Sequence, residues 1–70
     1  MPEEFTLEGK DFIELNNLLK VLGFCDSGGM AKTVIAAGQV KVDDKVELRR
    51  RCKIRTGQTV EFNSRTILIK

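Results

Sequence analysis

From Gln39 to Arg55 the chain alternates with a period of two. Val40, Val42, Asp44, Val46, Leu48, Arg50, Cys52 and Ile54 make one row; Gln39, Lys41, Asp43, Lys45, Glu47, Arg49, Arg51, Lys53 and Arg55 make the other. Successive strand side chains point to opposite faces, so an extended chain here buries the first row and exposes the second. The second row holds six cations against two anions. A ribbon is expected with one apolar side and one basic side suited to a polyanion. Its register depends on the turn. A two-residue turn at Asp43-Asp44 would pair Val42 with Lys45 and mix the faces. A three-residue loop, Val42-Asp43-Asp44 with Asp44 in the left-handed region, pairs Lys41 with Lys45 and Val40 with Val46. The second register is expected.

Upstream the period changes to that of a helix. Asp11 is placed to cap it, with Glu14 three residues on in the capping-box position. Phe12, Ile13, Leu15, Leu18, Leu19 and Leu22 form one apolar stripe, and Gly23 ends it, with Phe24 placed to touch Leu19. Ser27 is the N-cap of a second helix whose inner face is Ala31, Val34, Ile35 and Gly38. The short connection makes the helices a tight pair. Phe5-Thr6-Leu7 reads as a short strand. Gly57-Gln58 and Asn63-Ser64 read as turns, Val60 and Phe62 as inward positions, and Thr66-Ile67-Leu68-Ile69 as a closing strand. The predicted class is α+β: a two-helix pair packed on a small, mostly antiparallel sheet.

Seventy residues suit a single domain over 1–70 with a small core. No apolar stretch has the length of a membrane span, and the start Met1-Pro2-Glu3-Glu4 is acidic, unlike a signal peptide. A cytoplasmic protein with no membrane partner is expected. Charge is unevenly placed. Residues 1–30 carry two lysines against six carboxylates, a net −4, and residues 31–70 carry ten cations against four carboxylates, a net +6. Such a chain presents a local basic field while its total stays at +2.

The candidate chemistry is that of an anion binder. Arg49, Arg51, Lys53 and Arg55 extend the basic row begun by Lys41 and Lys45, and phosphates along a nucleic-acid backbone would neutralise it. An edge strand studded with cations against aggregation is the plainer reading, but six on one face exceed that need. Ser27-Gly28-Gly29 opens the second helix, where free N–H groups attract anions, and Lys32 follows one turn in. The Lys-Ser/Thr ending of a nucleotide-binding loop is absent, so ATP is not expected. Trp and Tyr are absent, and Phe5, Phe12, Phe24 and Phe62 are all assigned to the core, leaving no platform for stacking bases. Recognition should then run through backbone charge and shape.

No histidine is present, which removes Cys/His zinc sites and His-dependent catalysis; no metal and no cofactor is expected. The carboxylates are accounted for by turns, caps and charge balance, so no enzyme is expected. Cys25 and Cys52 read as small apolar residues rather than a disulfide, although Cys25 precedes a helix start, where a thiol pKa falls.

Ser27 to Ala31, Ala36-Ala37-Gly38-Gln39-Val40-Lys41-Val42-Asp43 and Gly57-Gln58-Thr59-Val60 resemble the αL RNA-binding motif, the domain first defined in the fourth protein of the small ribosomal subunit. The likeness spans roughly residues 12–62. The segments SGGMAK, GQVKVD and RRRCKI look most like the small free-standing proteins of the YbcJ/YaaA type. The resemblance implies two helices on a small sheet and an RNA surface on helix two and the following hairpin. Carried over, that surface comprises Ser27, Lys32, Lys41, Lys45, Arg49, Arg51 and Lys53. Gly28 stands where many members have Arg, which removes one phosphate contact or moves it to Arg50 or Lys32. Asp44 replaces the Gly of the usual hairpin turn and adds a negative charge at the tip.

The sequence therefore leads to a non-catalytic module that grips structured RNA, ribosomal RNA among the candidates. Its expected contacts are Ser27, Gly28, Gly29, Lys32, Lys41, Lys45, Arg49, Arg50, Arg51 and Lys53. The rival is a protein-interaction module docking an acidic partner, a ribosomal protein being another possible partner; duplex DNA is the third reading.

Overall fold

The computed structural model describes residues 3–70. Met1 and Pro2, part of the acidic start, lie outside them. Seven strands and two helices follow one another as β1 (Glu3–Phe5), β2 (Ile13–Glu14), α1 (Leu15–Val21), α2 (Gly28–Ala36), β3 (Val40–Val42), β4 (Lys45–Val46), β5 (Lys53–Ile54), β6 (Thr59–Phe62) and β7 (Arg65–Ile69). Five strands form one sheet in the order β1-β7-β6-β3-β4, antiparallel except for the β1–β7 pair. A second, two-stranded ladder pairs β2 with β5.

Alternation sets the sheet's inner face. Val40, Val42, Val60, Ile67 and Ile69 are buried, and they share one core with Leu15, Leu18, Leu19, Ala31 and Ile35 of the helices and Ile54 of β5. The helix pair is held by short endings. Gly23 takes φ +80°, and the N–H groups of Gly23 and Phe24 donate to the carbonyls of Lys20 and Leu19, each at 3.0 Å. This is the Schellman arrangement that the Gly-Phe pair predicts. Gly38 and Gln39 close α2 the same way on Ile35 and Val34. At the start of α2 the Ser27 hydroxyl accepts the Met30 N–H at 3.2 Å, as its N-cap position requires.

Three local expectations are corrected. The first helix does not begin at Asp11. Residues 13–14 pair as a strand with β5, and the first helical N–H groups, Leu15 and Asn16, donate to the carbonyls of Cys52 and Arg50 at 2.9 Å. Backbone acceptors from a distant segment do what a capping side chain would have done, and Glu14 makes no side-chain cap bond. The first strand is Glu3–Phe5 rather than Phe5-Thr6-Leu7. Leu7 leaves the strand yet stays buried, its N–H donating to the carbonyl of Lys70 at 2.9 Å.

The third correction bears on function. The β3–β4 hairpin uses the two-residue turn, pairing Lys41 with Val46 and Val42 with Lys45. Asp43 and Asp44 have φ of 52° and 68°, a type I′ combination whose twist matches that of the strands. Asp accepts this region at modest cost. The Asp43 side chain also pins the turn: its carboxylate accepts from the Thr59 N–H at 3.0 Å, the Thr59 hydroxyl at 3.3 Å and the Gln58 amide at 3.1 Å. Those bonds, the Thr59 N–H foremost and the Gln58 amide next, pull the Asp43 pKa below its ordinary value.

Candidate nucleic-acid interface

The two-residue turn splits the basic row. Directly paired residues share a face, so Lys45 falls on the side of Val42 and Lys41 on the side of Val46. Lys41 and Lys45 are therefore on opposite faces of the hairpin, not opposite one another. Lys41 stands across from Glu61 in the β3–β6 ladder. Val46 and Leu48, expected inside, are 53% and 60% exposed. Strand character ends after Val46, and the chain resumes pairing only at Lys53, with β2 instead of β3. A single ribbon from 39 to 55 does not form: its second half bonds to β2 and to the first N–H groups of α1 instead of to β3.

What forms instead is a cationic loop. Arg49, Arg50, Arg51, Lys53 and Arg55 lie within seven residues that contain no carboxylate. The loop is fixed at its middle by the Arg50 and Cys52 carbonyls on α1, and at its end by Ile54, which is fully buried opposite Ile13. Beyond Ile54 the Arg55 N–H donates to the Gln58 side chain at 2.8 Å, and Gln58 in turn bonds Asp43. The backbone is thereby held while the side chains face outward. Arg49 to Lys53 line one cleft of about 620 Å³.

Charge within this loop is unequal. Arg49 clasps Glu47 with Nε and Nη2 at 3.0 and 3.2 Å, and its backbone N–H donates to the same carboxylate at 3.0 Å. Those bonds hold the Glu47 carboxyl down to about 2. Arg49 thus already has a carboxylate partner, although its side chain stays 78% exposed. The other ion pairs among the described residues join Arg65 to Glu3 and Lys70 to Glu4. Arg50, Arg51, Lys53 and Arg55 have no carboxylate within ion-pair distance among the described residues.

The remaining expected contacts lie elsewhere. Ser27, Gly28, Gly29 and Lys32 sit in the first turns of α2, and the side-chain bonds formed there are internal: Ser27 caps Met30, and the Thr33 hydroxyl donates to the Gly29 carbonyl at 3.0 Å. Both cysteines are free. Burial, with Asp26 adding to it, raises the Cys25 pKa, so the lowered value anticipated from its place before α2 is not found. Cys52 is raised as well, by burial first and the Glu47 carboxylate next.

Phe12, expected in the core, is not part of it. It is half-buried, outside the buried cluster and outside the hydrophobics packed against that cluster. Lys53 Nζ lies 4.9 Å and Arg55 Cζ 5.6 Å from its ring centroid. Arg55 belongs to the basic row visible in the sequence; Phe12 beside it is the site residue that pattern reading missed. The available signal was the alternation Lys53-Ile54-Arg55, but its partner strand, only two residues long, was hidden inside a helical stripe.

Comparison with known proteins agrees with this architecture. The S4 domain family model matches residues 5–70. The chain is 49% identical over 65 residues to the "Putative RNA-binding protein YbcJ" of Escherichia coli (strain K12), covering 93% of each chain. It has the same identity and coverage with the uncharacterized protein YbcJ of Shigella flexneri. The solution structure of YbcJ from E. coli, described as revealing an αL motif involved in RNA binding, superposes with a TM-score of 0.74 at 46% identity. That match covers 99% of this chain and 87% of the other.

Proposed function

The chain belongs to the S4 domain family, and on that footing we propose that it is a non-catalytic RNA-binding protein, acting as one domain, that grips folded RNA through backbone phosphates. One observation carries the reading: five cations within residues 49–55, four of them without an ion pair among the described residues, stand on a backbone anchored at its middle and end. Anchoring matters because a held cation loses less freedom on meeting a phosphate than a loose one. Arg50, Arg51 and Lys53 are the centre of the proposed contact, with Arg49 contributing the part of its charge that Glu47 leaves free.

Lys41, Lys45, Ser27, Gly28, Gly29 and Lys32 are outlying contacts for an RNA that follows the hairpin and α2. A compact RNA with closely spaced phosphates, of which ribosomal RNA is one, fits this layout better than a single extended strand. The name of the E. coli relative and the αL motif of its structure support the same ligand class. We place the protein in the cytoplasm, where such RNA is at hand and thiols stay reduced.

Competition at physiological salt tests the proposal. Labelled RNA hairpin should be displaced by unlabelled hairpin at far lower concentration than by duplex DNA or an acidic polypeptide. Equal displacement by duplex DNA would contradict an RNA site. Stronger displacement by the polypeptide would favour an acidic protein partner.

A further inference from the structure

The Phe12 ring borders two different surroundings. Lys53 and Arg55 stand over it at 4.9 and 5.6 Å. A separate cleft of about 450 Å³ is lined by Phe12 with Lys10, Ile13, Glu14, Asn17 and Val21, and by neither of those two cations. The ring thus borders both a basic surface and a small open chamber.

The chamber's lining is mixed, with one cation, Lys10, and one carboxylate, Glu14, beside apolar and amide groups. Ile13 and Val21 provide apolar surface, and Val21 is 63% exposed although it lies in a helix. Glu14 brings a carboxylate that repels phosphate and accepts N–H donors. The Asn17 backbone N–H bonds Asn16, while its side-chain amide has no hydrogen-bond partner among the described residues. An aromatic wall, apolar surface, one cation, one carboxylate and one amide suit a flat heterocycle with polar edges. Unpaired bases are held by stacking on an aromatic face with hydrogen bonds to their edges.

We propose that this cleft receives one unpaired nucleobase of the bound RNA, stacked on Phe12, while Lys53 and Arg55 hold the neighbouring phosphates. The inference rests on the RNA reading above and adds to it a preference for a bulged or looped-out nucleotide beside the gripped backbone. Continuity carries it: the same ring touches the cations of the phosphate site and walls the chamber, so backbone and base are met within one nucleotide's reach.

Two RNA hairpins of identical stem test the proposal by fluorescence anisotropy, one with a single bulged nucleotide and one with an abasic sugar-phosphate at that position. Their backbone charge is the same, so their ratio of affinities reads the base alone. The protein should bind the bulged hairpin about 10-fold more tightly, the scale of one base–aromatic stack. Phe12→Leu should bring the ratio near one. Asn17→Ala, at an exposed position, should lower it by about half or more by removing a hydrogen bond to the base edge. A ratio of one in the unaltered protein, with salt-dependent binding to both hairpins, would overturn the base site and leave the phosphate reading standing. A 10-fold ratio untouched by either substitution would overturn it equally, by placing the base elsewhere. Binding to neither hairpin would contradict the RNA reading, and the base site would fall with it.

Discussion

Glu47 shows how one carboxylate shapes the basic loop. Its pairing with Arg49 lowers its pKa from an ordinary 4.5 to about 2, so the folded state binds this proton more weakly than the unfolded chain does. The stabilisation is complete above the ordinary value and disappears as pH falls from there toward about 2. Glu47→Gln should therefore flatten the acid limb of a urea-midpoint series between pH 5 and 2. Asp43, also lowered, acts with the same sign and should leave a residual slope in that variant. An acid limb identical in both proteins would show that the Arg49 clasp contributes nothing to folding. The same residue limits function, because a phosphate meeting Arg49 competes with a carboxylate already in place.

At the scale of elements, the β2–β5 ladder joins fold to function. It is two residues long, yet it directs Lys53 outward, buries Ile54, and places the Arg50 and Cys52 carbonyls on the first N–H groups of α1. Ile54→Ala removes the buried anchor and should cost about 2–5 kcal/mol. Exchange of the Leu15 and Asn16 amides should accelerate beyond that of the β6–β7 ladder, because the loop's grip on α1 loosens first. Uniform acceleration across the protein would instead make Ile54 an ordinary core residue.

That ladder also marks where pattern reading succeeds and where it stops. The helix endings at Gly23 and Gly38, the Ser27 cap, the Asn63-Ser64 turn and the inward Val60 were legible because each depends on a few neighbouring residues. The start of α1 was not, since its N–H partners come from residues 50 and 52. The alternation from Gln39 to Arg55 was real as a pattern but could not say which strand each half would pair with. It brought the cations of the loop to notice, and the hairpin register then separated Lys41 from Lys45. Phe12 was misplaced for a related reason: as a helix residue it would face the core, whereas beside β2 it lies next to Lys53 and Arg55.

Across the whole molecule, charge and anchoring are arranged together. The net −4 of the first thirty residues and the +6 of the last forty leave a total of +2, so attraction to RNA depends on local placement more than on overall charge. Of the cations held by nearby carboxylates, Arg65 and Lys70 lie on the β1–β7 side and Arg49 at the start of the loop, whereas those of residues 50–55 have no such partner among the described residues. The most direct measurement is the salt dependence of binding to one RNA hairpin, for the unaltered protein and for Arg50→Gln with Arg51→Gln. The double variant should bind more weakly, and the slope of log K against log salt should fall by about one unit for each phosphate no longer neutralised. An unchanged slope and affinity in a folded double variant would show that RNA is held somewhere other than this loop.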